Sequence, residues 1–263
     1  MKINKTGFQS GGCRCSAWFY TPITWRHPSK LPTIVLVPGG HGFVIKQKER
    51  DCGFGLAELA KTFAAEGFAV CGYDGRGQGE SEGKRTGHNL AFEDLEAALA
   101  CIRESFDPAD GQRIGLIGQS LGGMASAVVA GRDKGIRSLV LWGTLPRYTI
   151  LKTEGSDRAG EVMKGIYEEA GGDVPFDDFV REFKMLDAID YIGQLDIPIL
   201  LAGGSEDNRF FRMNEQAELL EAAKASQQVM LLKVKGEPHR TRHWSPSFPL
   251  LAKLLSAWFS ETL

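Results

Sequence analysis

The chain has 263 residues, 43% of them apolar, and a formal net charge of −2. That length fits one large α/β domain or two small ones, with enough apolar residues for a packed core. Acidic and basic residues are mixed along the chain, so no basic block points to nucleic acid and no acidic tail to a charged partner.

The sequence opens Met1-Lys2-Ile3-Asn4-Lys5, with no apolar stretch of the kind a signal peptide carries. No run approaches the ~18 apolar residues that a bilayer span requires. The first twenty residues read as a β-hairpin, with Gly11-Gly12 as the turn and Cys13 to Tyr20 as the second strand. A loop carrying Pro22, Pro28 and Pro32 follows. Strands and helices then alternate. Thr33–Val37 predicts a strand, 54–66 a helix ending at Gly67, and Phe68–Tyr73 a strand. Residues 91–106 predict an amphipathic helix with Asn89 as its cap, Arg113–Ile117 a short strand, Leu121–Gly131 a small-residue helix, and Ser138–Trp142 a strand.

Between 146 and about 194 the alternation breaks. Two helical patterns stand there, one with Val162, Met163, Ile166 and Tyr167, the other with Phe176, Phe179, Val180 and Phe183. Alternation resumes with a strand at Ile197–Ala202, a helix at Asn214–Ala225, a strand at Val229–Val234 and a helix at Ser245–Ser260. Apolar strands separated by helices predict an α/β fold. The expectation is about eight strands in a mostly parallel sheet, helices on both faces, and a small helical cap inserted into one domain at about 146–194.

The five cysteines are Cys13, Cys15, Cys52, Cys71 and Cys101. An odd number without a secretory signal predicts reduced thiols and a cytoplasmic protein. Cys13 and Cys15 lie two apart on a strand and so share a face. No further ligands stand at metal-binding spacing, so no metal is expected.

Gly-x-Ser-x-Gly occurs twice, at Gly118-Gln119-Ser120-Leu121-Gly122 and at Gly79-Glu80-Ser81-Glu82-Gly83. A nucleophile elbow needs a strand directly before the serine and a helix directly after it. Only the copy at Ser120 has both. Ser81 sits in a polar, glycine-rich loop. A serine hydroxyl needs a histidine to take its proton, and that histidine needs an acid to fix its tautomer. With this topology the acid follows the strand after the insertion and the histidine follows the last strand. Asp207 is the first choice of acid, with Glu206 and Asp196 as rivals. His239 is the preferred base, being nearer the strand end, with His243 as the alternative. His27, His41 and His88 precede the serine and read as loop residues. Backbone N–H groups of Leu121 and of Gly40, in the loop after the strand at 33–37, are the candidate oxyanion hole. His41, Phe43 and Gln119 are candidate pocket residues.

These stretches resemble the α/β-hydrolase superfamily. Within it they are similar to the cap-bearing branch of monoglyceride lipases, carboxylesterases and serine aminopeptidases. Val37-Pro38-Gly39-Gly40 stands at the place of the family's His-Gly oxyanion loop, with Pro38 where the family has histidine. Tyr73-Asp74-Gly75-Arg76-Gly77-Gln78-Gly79-Glu80-Ser81 is similar to the family's Asp-x-Arg-Gly-x-Gly-x-Ser turn, whose serine is not the nucleophile. Gly118–Gly122 is the elbow, and Gly204-x-x-Asp207 and Gly236-x-x-His239 are similar to the acid and base loops. The resemblance implies a cofactor-free serine hydrolase of a small-molecule carboxylic ester. A peptidase or amidase with the same triad is the first alternative, and a non-catalytic or non-hydrolytic member of the fold the second. In the insertion, Met163, Tyr167, Phe176, Phe179 and Phe183 either line an acyl pocket or form the buried faces of two helices. Asp74 and Arg76 are expected to brace their loop.

Overall fold

The structure is a computed structural model. It describes residues 1–40, 43, 55–84, 91–147, 157–169, 174–182, 187–207, 211–239 and 243–263. Its eight strands are β1 (Lys2–Ser10), β2 (Cys13–Thr21), β3 (Leu31–Val37), β4 (Ala69–Tyr73), β5 (Ala109–Gln119), β6 (Ile136–Trp142), β7 (Ile199–Gly204) and β8 (Val229–Val234). They form one sheet in the order β1-β2-β4-β3-β5-β6-β7-β8. The β1–β2 hairpin and the β2–β4 pair are antiparallel, and every other pair is parallel. Ser10 pairs with Cys13 across the two-residue Gly11-Gly12 turn, the hairpin read from the sequence.

Successive side chains of a strand point to opposite faces, and here both faces are apolar. Val35 and Val37 of β3, Leu139 and Leu141 of β6, and Ile199 and Leu201 of β7 enter one core layer. Their neighbours Ile34, Leu36, Val140, Trp142, Leu200 and Ala202 enter the other. The first layer is closed by α2 (Ala91–Ser105) and α3 (Leu121–Arg132), through Leu95, Leu99, Ile102, Ala125 and Val129. The second is closed by α1 (Leu56–Ala65) and the C-terminal helix Phe248–Thr262, through Leu59, Phe63, Leu255 and Phe259. Each of these fully buried large side chains contributes about 1.5–3 kcal/mol relative to exposure. No helix among the described residues is long and apolar enough to cross a membrane.

Between β6 and β7 the described residues hold α4 (Asp157–Glu169), α5 (Phe176–Glu182) and the single turn α6 (Ile189–Ile192), and no strand. Met163, Ile166 and Phe179 form a third apolar cluster with Leu121, Met124 and Val128 of α3 and with Leu145. Tyr167 meets Phe176 and Phe179 edge-on. Phe176 itself stays exposed. Phe183 and the predicted cap residue Asn89 lie outside the described residues.

Several boundaries shift from the sequence expectation, two of them for a clear physical reason. β5 starts at Ala109 rather than Arg113: Ala109 pairs with Leu31 at the start of β3, and residues 110–113 lie in the register shift before Ile114 pairs with Thr33. The last helix starts at Phe248 rather than Ser245, because Ser245 and Ser247 turn their hydroxyls to the buried Glu237 carboxylate. Pro249 then sets the first turn. The remaining helix is α7 (Met213–Ala222), and the last helix is α8.

Candidate active site

β5 runs straight into α3 with one residue between them, Ser120. Its backbone sits at φ 55° and ψ −120°. It is the one non-glycine residue with positive φ among the described residues. An L-residue holds that conformation only where its surroundings over-determine it. Here they do. The Ser120 N–H donates to the Trp142 carbonyl at 2.9 Å, and its own carbonyl accepts the Gly123 N–H at 2.9 Å. The turn is tight enough that a Cβ on Gly122 would lie 2.4 Å from the Val37 carbonyl oxygen. Glycine at that position is a packing requirement.

Ser81, in the second copy of the motif, is placed quite differently. Its Oγ donates to the Asp74 carbonyl at 2.7 Å and accepts the Ser16 N–H at 2.9 Å. The hydroxyl is committed to tying its loop to β2. Asp74 is fully buried; its carboxylate accepts the Phe43 N–H at 2.6 Å and the Glu80 N–H at 2.9 Å. The Arg76 Nε donates to Asp94 at 2.6 Å, and its N–H to the other Asp94 oxygen at 3.0 Å. Asp74 and Arg76 thus brace this turn.

Asp207 and His239 meet. The His239 Nδ1 lies 2.6 Å from the Asp207 Oδ2, with Asp207 buried and His239 partly so. A carboxylate only accepts, so Nδ1 carries the proton and Nε2 presents its lone pair in the neutral ring. That Nε2 lies 3.4 Å from the Gln119 Nε2, on the residue next to Ser120. The base loop is held by several bonds. The Trp142 indole N–H donates to the His239 carbonyl at 3.2 Å, and the Glu206 N–H to the Glu237 carbonyl at 2.9 Å. Glu206 and Asp196, the rival acids, are both exposed.

His243 is exposed, with its ring edge-on to Trp244 at 4.6 Å and its Cβ beside Gly55, before α1. His27 is exposed near Asp107. His41 and His88 lie outside the described residues. Leu121 takes the first position of α3, where a helix N–H has no intrahelical acceptor. Gly40 is buried in the loop after β3, and Gly39 beside it packs on the elbow. Of the candidate pocket residues, Gln119 is buried beside Ser120. Phe43 is buried too. Its ring folds back over Gly72 of β4, stacks on Trp18 at 5.5 Å and is part of the second core layer. Burial pushes the Cys15 thiol up to about 12, so it is protonated at neutral pH and offers no competing nucleophile.

One contributor escaped the sequence reading. Gly143, at the end of β6, has φ +56° and lies under the His239–Asp207 pair. A Cβ there would fall 2.8 Å from the His239 Nδ1 and 3.1 Å from the Asp207 Oδ2. Its signal in the sequence is only a glycine after a strand end. Gly143→Ala is expected to unseat the pair and to cost about 1–3 kcal/mol of stability, read by thermal melting.

A family model described as serine aminopeptidase, S33, matches residues 52–165. A curated relative, the quorum-quenching protein AidA of Acinetobacter baumannii, is 32% identical over 136 residues, which are 51% of this chain and 41% of that protein. The chain spans about two fifths of the length of the curated relatives it matches. An esterase of Pyrococcus furiosus superposes with a TM-score of 0.72 at 16% identity, covering 99% of this chain and 91% of that one. An acylaminoacyl peptidase of Pyrococcus horikoshii superposes with a TM-score of 0.71 at 20% identity, covering 100% of this chain and 42% of that one.

Proposed function

The chain is an α/β-hydrolase by fold, and on that frame we propose that it is a serine hydrolase of carboxylic esters. The observation that carries the reading is the Asp207–His239 pair at 2.6 Å, with the imidazole Nε2 3.4 Å from Gln119, the residue before the strained turn at Ser120. In this reading the Ser120 Oγ attacks the substrate carbonyl carbon as its proton passes to the His239 Nε2. The carbonyl π electrons move onto oxygen, and the N–H groups of Leu121 and Gly40 receive that charge. The dipole of α3 favours it, and each such donor is worth ~3 kcal/mol in the transition state. The tetrahedral centre collapses, the bond to the leaving oxygen breaks, and His239 returns its proton to the alcohol. Water then attacks the acyl-enzyme, again through His239, releasing the acid and restoring Ser120. Asp207 holds the ring and stabilises its charged state. None of these steps calls on a metal or an organic cofactor.

We read residues 1–263 as a single α/β-hydrolase domain, with the helices α4 and α5 as a small cap inserted at about 146–194. Their apolar side chains cluster with Leu121 and Met124, directly after the serine, which supports an apolar acyl group in the substrate. Peptide or amide cleavage by the same triad is the second reading, favoured by the serine aminopeptidase description of the matching family model. The two are separated by a panel of p-nitrophenyl acyl esters from short to long chain beside aminoacyl p-nitroanilides. Esters are expected to turn over at least tenfold faster by kcat/KM, and a fluorophosphonate probe is expected to label Ser120. An unlabelled Ser120 in the folded protein sinks both readings.

A further inference from the structure

Among the described residues, two bonds to the loop after β3 come from the same turn, 74–81. On one side of Gly40, the Asp74 carboxylate accepts the Phe43 N–H at 2.6 Å. On the other, the Gln78 Nε2 donates to the Gly39 carbonyl at 2.8 Å. The Gln78 amide is itself anchored, because its Oε1 accepts the Gly75 N–H at 3.1 Å. Both ends of one amide are therefore in use.

The bond to the Gly39 carbonyl has a consequence for Gly40. The peptide that joins them is planar and trans, so the Gly39 C=O and the Gly40 N–H point in opposite directions. A peptide between two glycines has no Cβ on either side to resist rotation about the flanking bonds, so its plane flips at little steric cost. A hydrogen bond to the carbonyl removes that freedom. This peptide is also seated on the nucleophile turn: a Cβ on Gly39 would lie 3.1 Å from the Ser120 Cβ. We infer that Gln78 is a positioning residue that fixes the direction of the Gly40 N–H, and through it one half of the oxyanion hole. The inference rests on the serine-hydrolase reading and deepens it, since it assigns a role to a side chain of the neighbouring turn that touches no reacting atom.

Gln78→Glu and Gln78→Leu test it. The first keeps an acceptor for the Gly75 N–H but turns an oxygen to the Gly39 carbonyl. The second removes both bonds. Hydrolysis of p-nitrophenyl butyrate is measured first on the parent chain, where an inert parent overturns the hydrolase reading and this one with it. With an active parent, both variants are expected to lose about 10- to 100-fold in kcat with KM within about twofold. A trifluoromethyl ketone, whose hemiketal oxygen stands for the oxyanion, is expected to lose affinity by the same factor, while butyrate binds as before. Parent-like kcat in Gln78→Glu overturns the inference alone, as does a fall in kcat without the matching loss of ketone affinity. Failure of both variants to fold, seen by circular dichroism and thermal melting, makes Gln78 a structural residue and overturns it too.

Discussion

Ser120→Ala is expected to abolish ester turnover, with kcat down by about 10⁴- to 10⁶-fold, while the fold is kept. The loss is that large because in the proposed mechanism the hydroxyl is the attacking atom. Ser81 is no substitute, since its Oγ is bonded to the Asp74 carbonyl of its own loop and to the Ser16 N–H of β2. The residual rate over water would come from the oxyanion donors and binding alone. The companion variant Ser120→Gly separates chemistry from strain. Position 120 has φ 55°, where a side chain costs about 1–3 kcal/mol. Glycine relieves that strain and gives back ~0.5–1 kcal/mol through the unfolded chain. The net expectation is a gain of about 1 kcal/mol, or ~2–4 °C in Tm, in a protein without activity. A glycine variant less stable than the parent would show that the turn is not strained.

The second large effect lies at the base. His239→Ala is expected to lower kcat about 10⁴-fold, and His243→Ala by less than about threefold. Asp207→Asn should approach the histidine variant, because an amide at that position stabilises the imidazolium poorly and permits the wrong tautomer. The contrast follows from placement. His239 has a buried carboxylate at 2.6 Å and faces the elbow, whereas His243 lies against Trp244 in solvent. A fall of 1,000-fold or more in His243→Ala, with His239→Ala near the parent, would reverse the assignment.

The sheet was legible in the sequence because its strands are buried on both faces, which writes runs such as Thr33–Val37 and Ser138–Trp142 as unbroken apolar stretches. The extra residues at the start of β5 were not legible. Asp110, Gln112 and Arg113 are polar and lie in the register shift between the Leu31–Ala109 and Thr33–Ile114 pairs. The elbow was legible from its neighbours, strand and helix, rather than from its five-residue motif, which the chain carries twice. Asp207 was picked out by its distance from a strand end, yet only its burial separates it from Glu206, one residue away. Phe43 read as a possible pocket residue, and nothing local reveals that Gly72, on another strand, makes room for its ring in the core. Gly143 and Gln78 were invisible as site residues for the same reason. What each does is set by a partner far along the chain, His239 in one case and Gly39 in the other.

Among the described residues the last strand, β8, pairs with β7 alone and stands at the edge of the sheet. A strand held by one ladder is the part of a sheet that opens with the least free energy. The loop bearing His239 hangs from that strand. On the proposed mechanism, fraying of β8 would withdraw the imidazole from Ser120 and end turnover before the rest of the sheet opens.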